Sequence, residues 1–361
     1  MIPFTDLKSQ YLEAKTDIDA AIAKVIDTTS YIAGPLLAEF ETAFATYTSA
    51  QACAGTSSGS TALMCALMAA GIGAGDEVIT TPHTFISTGE AIIWQQAIPV
   101  FVDIDANYQI DVSKIPERIT SKTKAILFVS MYGQCPDLAA LKKIAADNNL
   151  LLIEDAAQSV GTTYNGQPTS AYVDMSCYSF NPVKNLGAMG DAGAVVGSAQ
   201  LIDRVKMFRD HGRENKWDFE TQGINGRMDT LQAQVVLAKM PYVDRWISKK
   251  REISQRYNQY LSAYVTIPAE SDWAYHTYYV YVIQVPERDK FVSYMKDNGV
   301  AVNVHYPLSL VQQPVFRDYI TDCPVANDAC SKIVSLPCYH TLTETQQDKI
   351  IELVISWSKL H

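Results

Sequence analysis

Short apolar, strand-favouring runs alternate with amphipathic segments between Asp76 and about Gly197. The predicted strands are Val78–Thr80, Val100–Asp103, Ala125–Val129, Leu150–Ile153, Met175–Phe180 and Ala194–Val196. The predicted helices are Asp17–Ile26, Ser60–Ala70, Thr88–Gln95 and Leu138–Asp147, where apolar residues recur at helical spacing. Continuous apolar strands separated by helices are typical of a mostly parallel sheet covered on both faces. The pattern therefore predicts an α/β fold.

The pattern changes beyond about Pro241. The elements predicted there are a charged helix from Asp244 to about Ala263, a tyrosine-rich strand at His276–Val285, a helix near Lys290–Asn298 and a terminal helix from about Thr343. This mixture indicates a smaller α+β domain. We therefore predict a large domain at residues 1–241 and a small C-terminal domain at residues 242–361.

Charge and cysteine content narrow the classes of function. The net charge of -10 argues against nucleic acid as the main partner, since phosphate backbones need a basic surface. It leaves room for a small anionic ligand held by a local site. The seven cysteines are scattered, without metal-ligand or disulfide-framework spacing. With neither a signal-like N-terminus nor a long apolar run, the sequence predicts a cytoplasmic protein without a membrane span or a metal.

A stretch of small residues, Gly55-Thr56-Ser57-Ser58-Gly59-Ser60-Thr61, comes directly before a predicted helix. Small residues let backbone amides approach an anion, and the helix N-terminus adds a positive dipole, so the stretch is a candidate phosphate cradle. An ordinary Ser or Thr helix cap explains the same residues.

Two further segments carry ionisable side chains at strand ends. Glu154 and Asp155 follow a predicted strand, where an open parallel sheet binds its ligands, although a helix-capping Asp is equally compatible. Lys184 lies in a glycine-rich loop between two strands. It is either a solvated surface lysine or a desolvated amine suited to Schiff-base chemistry.

Taken together, the three segments match one cofactor. Pyridoxal 5′-phosphate needs a phosphate cradle, an acid paired with its pyridine nitrogen and a lysine that forms a Schiff base with it. The acid keeps the ring nitrogen protonated, so that the ring accepts charge from the substrate.

The sequence resembles the DegT/DnrJ/StrS family of sugar aminotransferases, which have the type I fold of pyridoxal-phosphate enzymes. The resemblance covers nearly the whole chain, from Pro3 to Pro337. Its most specific motifs are Glu154-Asp155-Ala156-Ala157-Gln158, the Lys184 loop, Gly223-Ile224-Asn225-Gly226-Arg227-Met228 and Gly73-Ala74-Gly75-Asp76-Glu77-Val78-Ile79. It implies a large domain with a mostly parallel, seven-stranded type of sheet between helices.

The resemblance also implies roles for single residues. Lys184 would carry the cofactor and shuttle protons, Asp155 would pair with the pyridinium, and Gln158 would bond near the ring hydroxyl. The phosphate would be held by Gly59, Ser60 and Ser179, with Phe85 stacked on the ring. Asn225, together with the substrate-binding residues His305 and Tyr306, would reach across a homodimer into the partner's site.

The implied reaction moves the amino group of L-glutamate to a keto sugar, most simply a nucleotide-linked 3-keto sugar or uronate. A free keto sugar acid, such as an oxidised octulosonate destined for lipopolysaccharide, is an alternative acceptor. Two other classes stay open, a dehydratase on the same cofactor and a non-catalytic cofactor-binding regulator. Asn181 stands where many relatives carry His. Relatives that act as dehydratases have His in place of the lysine, so Lys184 favours transamination.

Overall fold

The computed structural model describes residues 1–360. Its α-helices are α1 (Leu7–Glu13), α2 (Lys15–Thr28), α3 (Pro35–Tyr47), α4 (Gly59–Ala69), α5 (Ile86–Trp94), α6 (Leu138–Asp147), α7 (Ala199–Phe208), α8 (Thr230–Leu261), α9 (Arg288–Asp297), α10 (Pro324–Lys332) and α11 (Glu344–Ser358). Its strands are β1 (Ala52–Thr56), β2 (Glu77–Thr80), β3 (Ile98–Phe101), β4 (Thr123–Val129), β5 (Leu151–Asp155), β6 (Thr163–Tyr164), β7 (Gln167–Pro168), β8 (Met175–Ser179), β9 (Gly193–Gly197), β10 (Ala274–Tyr275), β11 (Tyr281–Gln284) and β12 (Ile333–Leu336).

A seven-stranded sheet organises the first part of the chain, in the order β1-β9-β8-β5-β4-β2-β3. Strands β3, β2, β4, β5 and β8 run parallel, whereas β9 is antiparallel to both of its neighbours. Strand β1 therefore runs in the same direction as β5 and β8. The carboxyl ends of these three strands, at Thr56, Asp155 and Ser179, meet at one edge of the sheet. The predicted α/β fold with a mostly parallel sheet is confirmed.

The apolar pattern did not predict strand β1. Its sequence, Ala-Cys-Ala-Gly-Thr, lacks the β-branched and aromatic residues that mark strands, yet four of its five residues are buried. Pairing with β9 and packing against α3, α4 and α7 determine its conformation instead. Gly55 and Thr56 consequently belong to a strand, and the small-residue segment starts its turn only at Ser57.

The charged helix predicted from Asp244 begins much earlier, at Thr230. Pro241 lies inside helix α8, although proline removes one backbone hydrogen bond and favours a helix end. Buried side chains on both sides of it, including Val236 and Val243, keep the helix continuous against α2 and α3. The expected domain boundary at residue 241 thus falls within one helix, and the division into two domains stays a prediction.

The predicted strand at His276–Val285 is shorter in the structure, where only Tyr281–Gln284 forms a strand, β11, paired with β12. The preceding residues bind a loop of the large sheet instead. The backbone N–H groups of Thr277 and Tyr279 donate to the carbonyls of Gly133 and Tyr132, at 2.8 Å each. These bonds carry the tyrosine-rich segment to the carboxyl edge of the sheet.

Candidate active site

A cavity of 390 Å³ opens at the carboxyl ends of β1, β5 and β8. Nine of the ten predicted site residues line it, namely Gly59, Ser60, Phe85, Asp155, Gln158, Ser179, Lys184, His305 and Tyr306. Residues that are more than 240 positions apart in the chain therefore meet in one place. The tenth, Asn225, lies elsewhere.

Lys184 lies on the loop between β8 and β9. The loop is tight, since the Lys184 N–H donates to the Asn181 carbonyl at 2.9 Å. A Cβ on Gly187 would also come within 2.4 Å of the Pro182 carbonyl oxygen. The Lys184 nitrogen lies 4.2 Å from the centre of the Tyr279 ring. Desolvation lowers the pKa of Lys184 to about 8, although the charge of Asp155 opposes this shift. A substantial fraction of the amine is consequently unprotonated near neutral pH.

Asp155 ends strand β5 and is buried. One carboxylate oxygen accepts a bond from the Thr88 hydroxyl at 2.7 Å, and the other accepts from the Ala157 N–H at 3.1 Å. Burial raises the pKa of Asp155 despite these two bonds and the charge of Lys184, which all lower it. A buried carboxylate of this kind favours a cationic partner placed in the cavity.

Helix α4 begins beside the end of β8. The Ser58 hydroxyl caps the helix by accepting the Thr61 N–H at 3.1 Å, which leaves other amides of the first turn available for a ligand. A Cβ on Gly59 would lie 2.7 Å from the Cβ of Ser179, so only glycine permits this close approach. The Ser60 hydroxyl contacts that of Ser87 at 2.6 Å. The segment is thus a capped helix start that also forms a wall of the cavity, and its role as a phosphate cradle stays a prediction.

Gln158 and Tyr306 form another part of the wall. Gln158 Nε2 donates to the Tyr306 hydroxyl at 3.2 Å, and its Oε1 accepts the Tyr132 N–H at 2.9 Å. The half-exposed Phe85 ring lies 5.7 Å from the Tyr306 ring. Desolvation, helped by the charge of Lys184, lowers the pKa of His305 to about 4, so its imidazole is neutral in the physiological range.

The resemblance implies that His305 and Tyr306 reach into the partner's site, but the structure places them differently. Both line the cavity that contains Lys184 of the same chain. The Tyr132 hydroxyl donates to the backbone carbonyl of His305 at 2.5 Å and holds this segment at the cavity. The separation of these residues from Lys184 in sequence does not decide between the two arrangements, since distant segments can meet within one chain as well as across a dimer.

Asn225 lies outside the cavity, on the segment between α7 and α8. Its side chain is exposed, and its backbone pairs with that of Asp210. Asp210 in turn bonds Arg213 and Arg227. Arg213 is therefore engaged in an ion pair rather than aimed at the Lys184 cavity. The predicted role of Asn225 in a partner's site stays a prediction.

Two residues of the site escaped the sequence analysis. The apolar pattern predicts Thr88 only as the start of a helix, whereas α5 begins two residues earlier and the Thr88 hydroxyl bonds Asp155. Tyr279 was assigned to a strand, yet its ring faces Lys184. Thr88 lies one helical turn after Thr84, and their hydroxyls are 2.8 Å apart, so this spacing of two threonines is a weak sequence signal for the site. The position of Tyr279 depends wholly on tertiary contacts.

The residues present fit pyridoxal 5′-phosphate. Gly59 and Ser179 approach so closely that a Cβ on Gly59 would clash, and they line the cavity beside a helix N-terminus suited to phosphate. The buried carboxylate of Asp155 suits a protonated ring nitrogen, and the half-buried amine of Lys184 suits covalent attachment.

Among the described residues, no group of three or more His, Cys, Asp or Glu side chains is arranged to hold a metal ion. Within residues 1–360, no helix is both long and apolar enough to cross a membrane.

Comparisons with known proteins agree with this geometry. The sequence model of the DegT/DnrJ/EryC1/StrS aminotransferase family matches residues 13–355. The UDP-2-acetamido-2-deoxy-3-oxo-D-glucuronate aminotransferase of Pseudomonas aeruginosa is 36% identical, over 97% of this chain and 98% of its own length. A protein of Geobacillus stearothermophilus named pleiotropic regulatory protein is 37% identical, over 98% and 97% of the two chains.

Solved structures give the same result. The crystal structure of DesV from S. venezuelae in complex with a ketimine intermediate superposes with a TM-score of 0.96, at 33% identity, over 99% of this chain and 98% of the other. The chain therefore belongs to the DegT/DnrJ/EryC1/StrS aminotransferase family, and it is an aminotransferase whose cofactor is pyridoxal 5′-phosphate.

Proposed function

We propose that this aminotransferase takes the amino group of L-glutamate and delivers it to a nucleotide-linked 3-keto sugar or uronate. The observation that carries the proposal is the convergence of Lys184 and Asp155 in one cavity with the N-terminus of α4. When bound, pyridoxal 5′-phosphate supplies an electron sink for the carbon that gains or loses the amine.

The residues of this chain have distinct tasks in that proposal. Asp155, held by Thr88 and Ala157, stabilises positive charge at the ring nitrogen. Lys184 moves a proton on and off the reacting carbon as a general acid and base, and its pKa of about 8 suits that task near neutral pH. Gly59, Ser60 and Ser179 bind phosphate, Phe85 covers the ring, and Gln158 orients its hydroxyl side. His305 and Tyr306 contact the substrate.

The composition of the cavity supports a partner subunit in the active assembly. Among its lining residues, all within the described part of the chain, Lys184 is the one lysine or arginine, and the imidazole of His305 is neutral. Glutamate and a nucleotide diphosphate are anionic, and Lys184 is occupied by the cofactor. In a homodimer, Asn225 of the partner subunit would supply a further donor to the cavity.

The free keto sugar acid stays an alternative acceptor, since its keto group presents the same reactive carbon. The regulatory name of one relative favours a role without turnover, and the intact Lys184–Asp155 pair argues against that role. The same pair argues against a dehydratase, because relatives that act as dehydratases have His in place of the lysine.

All seven cysteines are unpaired thiols, which favours a reducing compartment such as the cytoplasm. The product would enter a cell-surface polysaccharide or lipopolysaccharide.

A panel of keto sugars incubated with the enzyme and glutamate tests the acceptor class. The panel contains nucleotide-linked 3-keto sugars, matched uronates, 4-keto sugars and a free keto octulosonate, and products are identified by mass spectrometry. The proposal expects a product in which the keto oxygen is replaced by an amine, with nucleotide-linked 3-keto sugars preferred. Amination of the free acid alone would overturn the nucleotide-linked assignment. A product that has lost a hydroxyl without gaining nitrogen would establish the dehydratase instead.

A further inference from the structure

Tyr132 lies directly behind the cavity without lining it. It follows strand β4, is buried, and has a left-handed backbone with φ +61°, which is unusual for a residue with a side chain. Such a conformation persists only where the surrounding contacts enforce it.

Three hydrogen bonds join Tyr132 to three separate residues that line the cavity. Its N–H donates to Gln158 Oε1 at 2.9 Å, and its carbonyl accepts the N–H of Tyr279 at 2.8 Å. Its phenol donates to the carbonyl of His305 at 2.5 Å. Gln158, Tyr279 and His305 come from three different segments of the chain, so one residue fixes their relative positions.

The phenol bond has a defined direction. A carbonyl oxygen only accepts, so the single phenol proton must point at His305. The Tyr132 oxygen also lies 2.7 Å from His83 Nε2, which must therefore carry the proton of that second bond. His83 Nδ1 is then left as an acceptor, and the Cys330 thiol lies 3.4 Å from it. All three bonds point the same way, from Cys330 through His83 and Tyr132 to His305.

The surroundings of His83 suit a fixed neutral imidazole. The residue is buried, and desolvation lowers its pKa to about 4. The rings of Tyr108 and Tyr132 each lie 5.7 Å from the imidazole ring. It remains neutral in the physiological range and keeps one tautomer, which makes it a rigid support rather than a proton donor to substrate.

We propose that Tyr132 is a positioning residue that holds Gln158, Tyr279 and His305 around Lys184, and that His83 fixes the Tyr132 phenol through its Nε2–H tautomer. The inference deepens the proposed function, because it takes the cavity as the active site. Its consequence is that an uncharged network outside the cavity sets the orientation of the bound cofactor and of the substrate-binding His305 segment.

Replacing Tyr132 by Phe removes only the phenol bonds and leaves both backbone bonds. Tyr257→Phe is the matched control, since its buried hydroxyl donates to the Pro337 carbonyl at 2.9 Å, away from the cavity. We expect Tyr132→Phe to lower kcat/KM for the keto sugar by about 10- to 100-fold, because it leaves the buried His83 Nε2–H and the His305 carbonyl without the phenol as their partner. The visible circular dichroism of the bound cofactor should also change. Tyr257→Phe should alter neither quantity, although both variants lose stability.

His83 tests the network from its other end and stays informative if Tyr132→Phe fails to fold. His83→Gln retains a donor near the Nε2 position and should preserve the dichroism, whereas His83→Leu should reproduce the Tyr132→Phe spectrum. Nitrogen NMR of the holoenzyme should find His83 neutral with its proton on Nε2. A neutral His83 protonated on Nδ1, or a Tyr132→Phe variant indistinguishable from Tyr257→Phe, would overturn the proposal.

The spectroscopic tests use the cofactor-loaded protein and need no sugar substrate. If the wild-type protein aminates no sugar, the proposed function fails, while the dichroism and the tautomer still decide the positioning role.

Discussion

The amine of Lys184 rests 4.2 Å above the centre of the Tyr279 ring, which is itself held by the Tyr132 carbonyl. The ring supplies an apolar surface, and Asp155 lines the same cavity. Desolvation outweighs the attraction of Asp155, so the pKa of the amine falls from its usual 10.5 to about 8. This placement gives Lys184 a nucleophilic amine near neutral pH without a neighbouring base.

The rate at which the apoprotein attaches pyridoxal 5′-phosphate should therefore follow this pKa. Because only the free amine attacks, the rate should rise about tenfold per pH unit below pH 8 and level off above it. Stopped-flow absorbance at several pH values measures the profile. Borohydride reduction and peptide mapping should then find the cofactor on Lys184. Lys239 and Lys250, whose pKa values are also lowered to about 8 by burial, serve as internal controls and should stay unlabelled. A midpoint near 10.5, or label on either control, would exclude the assignment.

Asp155→Asn should slow turnover much more than it weakens cofactor binding. A neutral amide no longer holds the ring nitrogen protonated, and losing a buried charged partner costs about 3–5 kcal/mol, or roughly a hundred-fold to several thousand-fold in rate. Glu154→Gln is the matched control. Glu154 is also buried, but it faces the hydroxyls of Ser130, Thr169 and Ser176 outside the cavity. Steady-state kinetics should separate the two variants, and equal losses would contradict a charge-specific role for Asp155.

Gly59→Ala should weaken retention of the cofactor. The added Cβ would meet Ser179 at 2.7 Å, and overpacking of this kind costs about 1–3 kcal/mol. Equilibrium dialysis against pyridoxal 5′-phosphate measures the loss. Gly73→Ala is the control, because no atom lies within 4 Å of the new Cβ. Unchanged cofactor affinity in Gly59→Ala would exclude a phosphate cradle at this helix end.

Mixing inactive subunits tests which residues belong to which site. Lys184→Ala subunits mixed with Asn225→Ala subunits should recover activity, because one site of the mixed dimer regains both wild-type residues if Asn225 crosses the interface. Lys184→Ala mixed with Tyr306→Phe should recover none, because Lys184 and Tyr306 line the same chain's cavity. Mixed dimers are isolated with two affinity tags before assay. Recovery in the second mixture, or failure in the first, would contradict this division.

Much of the site was predictable because its chemistry is local in sequence. Asp155 ends an apolar strand, and Lys184 lies in a glycine-rich loop, so each position follows from its own segment. The parallel sheet then brings strand ends to one edge. The same logic could not predict β1, whose residues favour no strand, or the continuity of α8 across Pro241, which depends on burial of both halves.

What escaped prediction depends on contacts between distant segments. The resemblance implies a partner's site for His305, whereas the Tyr132 phenol bonds its carbonyl beside the cavity of the same chain. Tyr279 was placed in a strand, whereas its N–H bonds a loop 147 residues earlier, at Tyr132. No periodicity or propensity encodes such bonds, because each requires a backbone group whose partner is fixed only after the sheet has formed.

The most direct test of the account is the donor half of the reaction, measured without any sugar. The cofactor-loaded protein is mixed with L-glutamate, and the 2-oxoglutarate released is counted against the number of sites, with Lys184→Ala as control. The account predicts about one 2-oxoglutarate per site in a single rapid turnover, and release from the control slowed by orders of magnitude. Release of no keto acid from glutamate or from any other amino acid, by a protein shown to carry its cofactor, would contradict it.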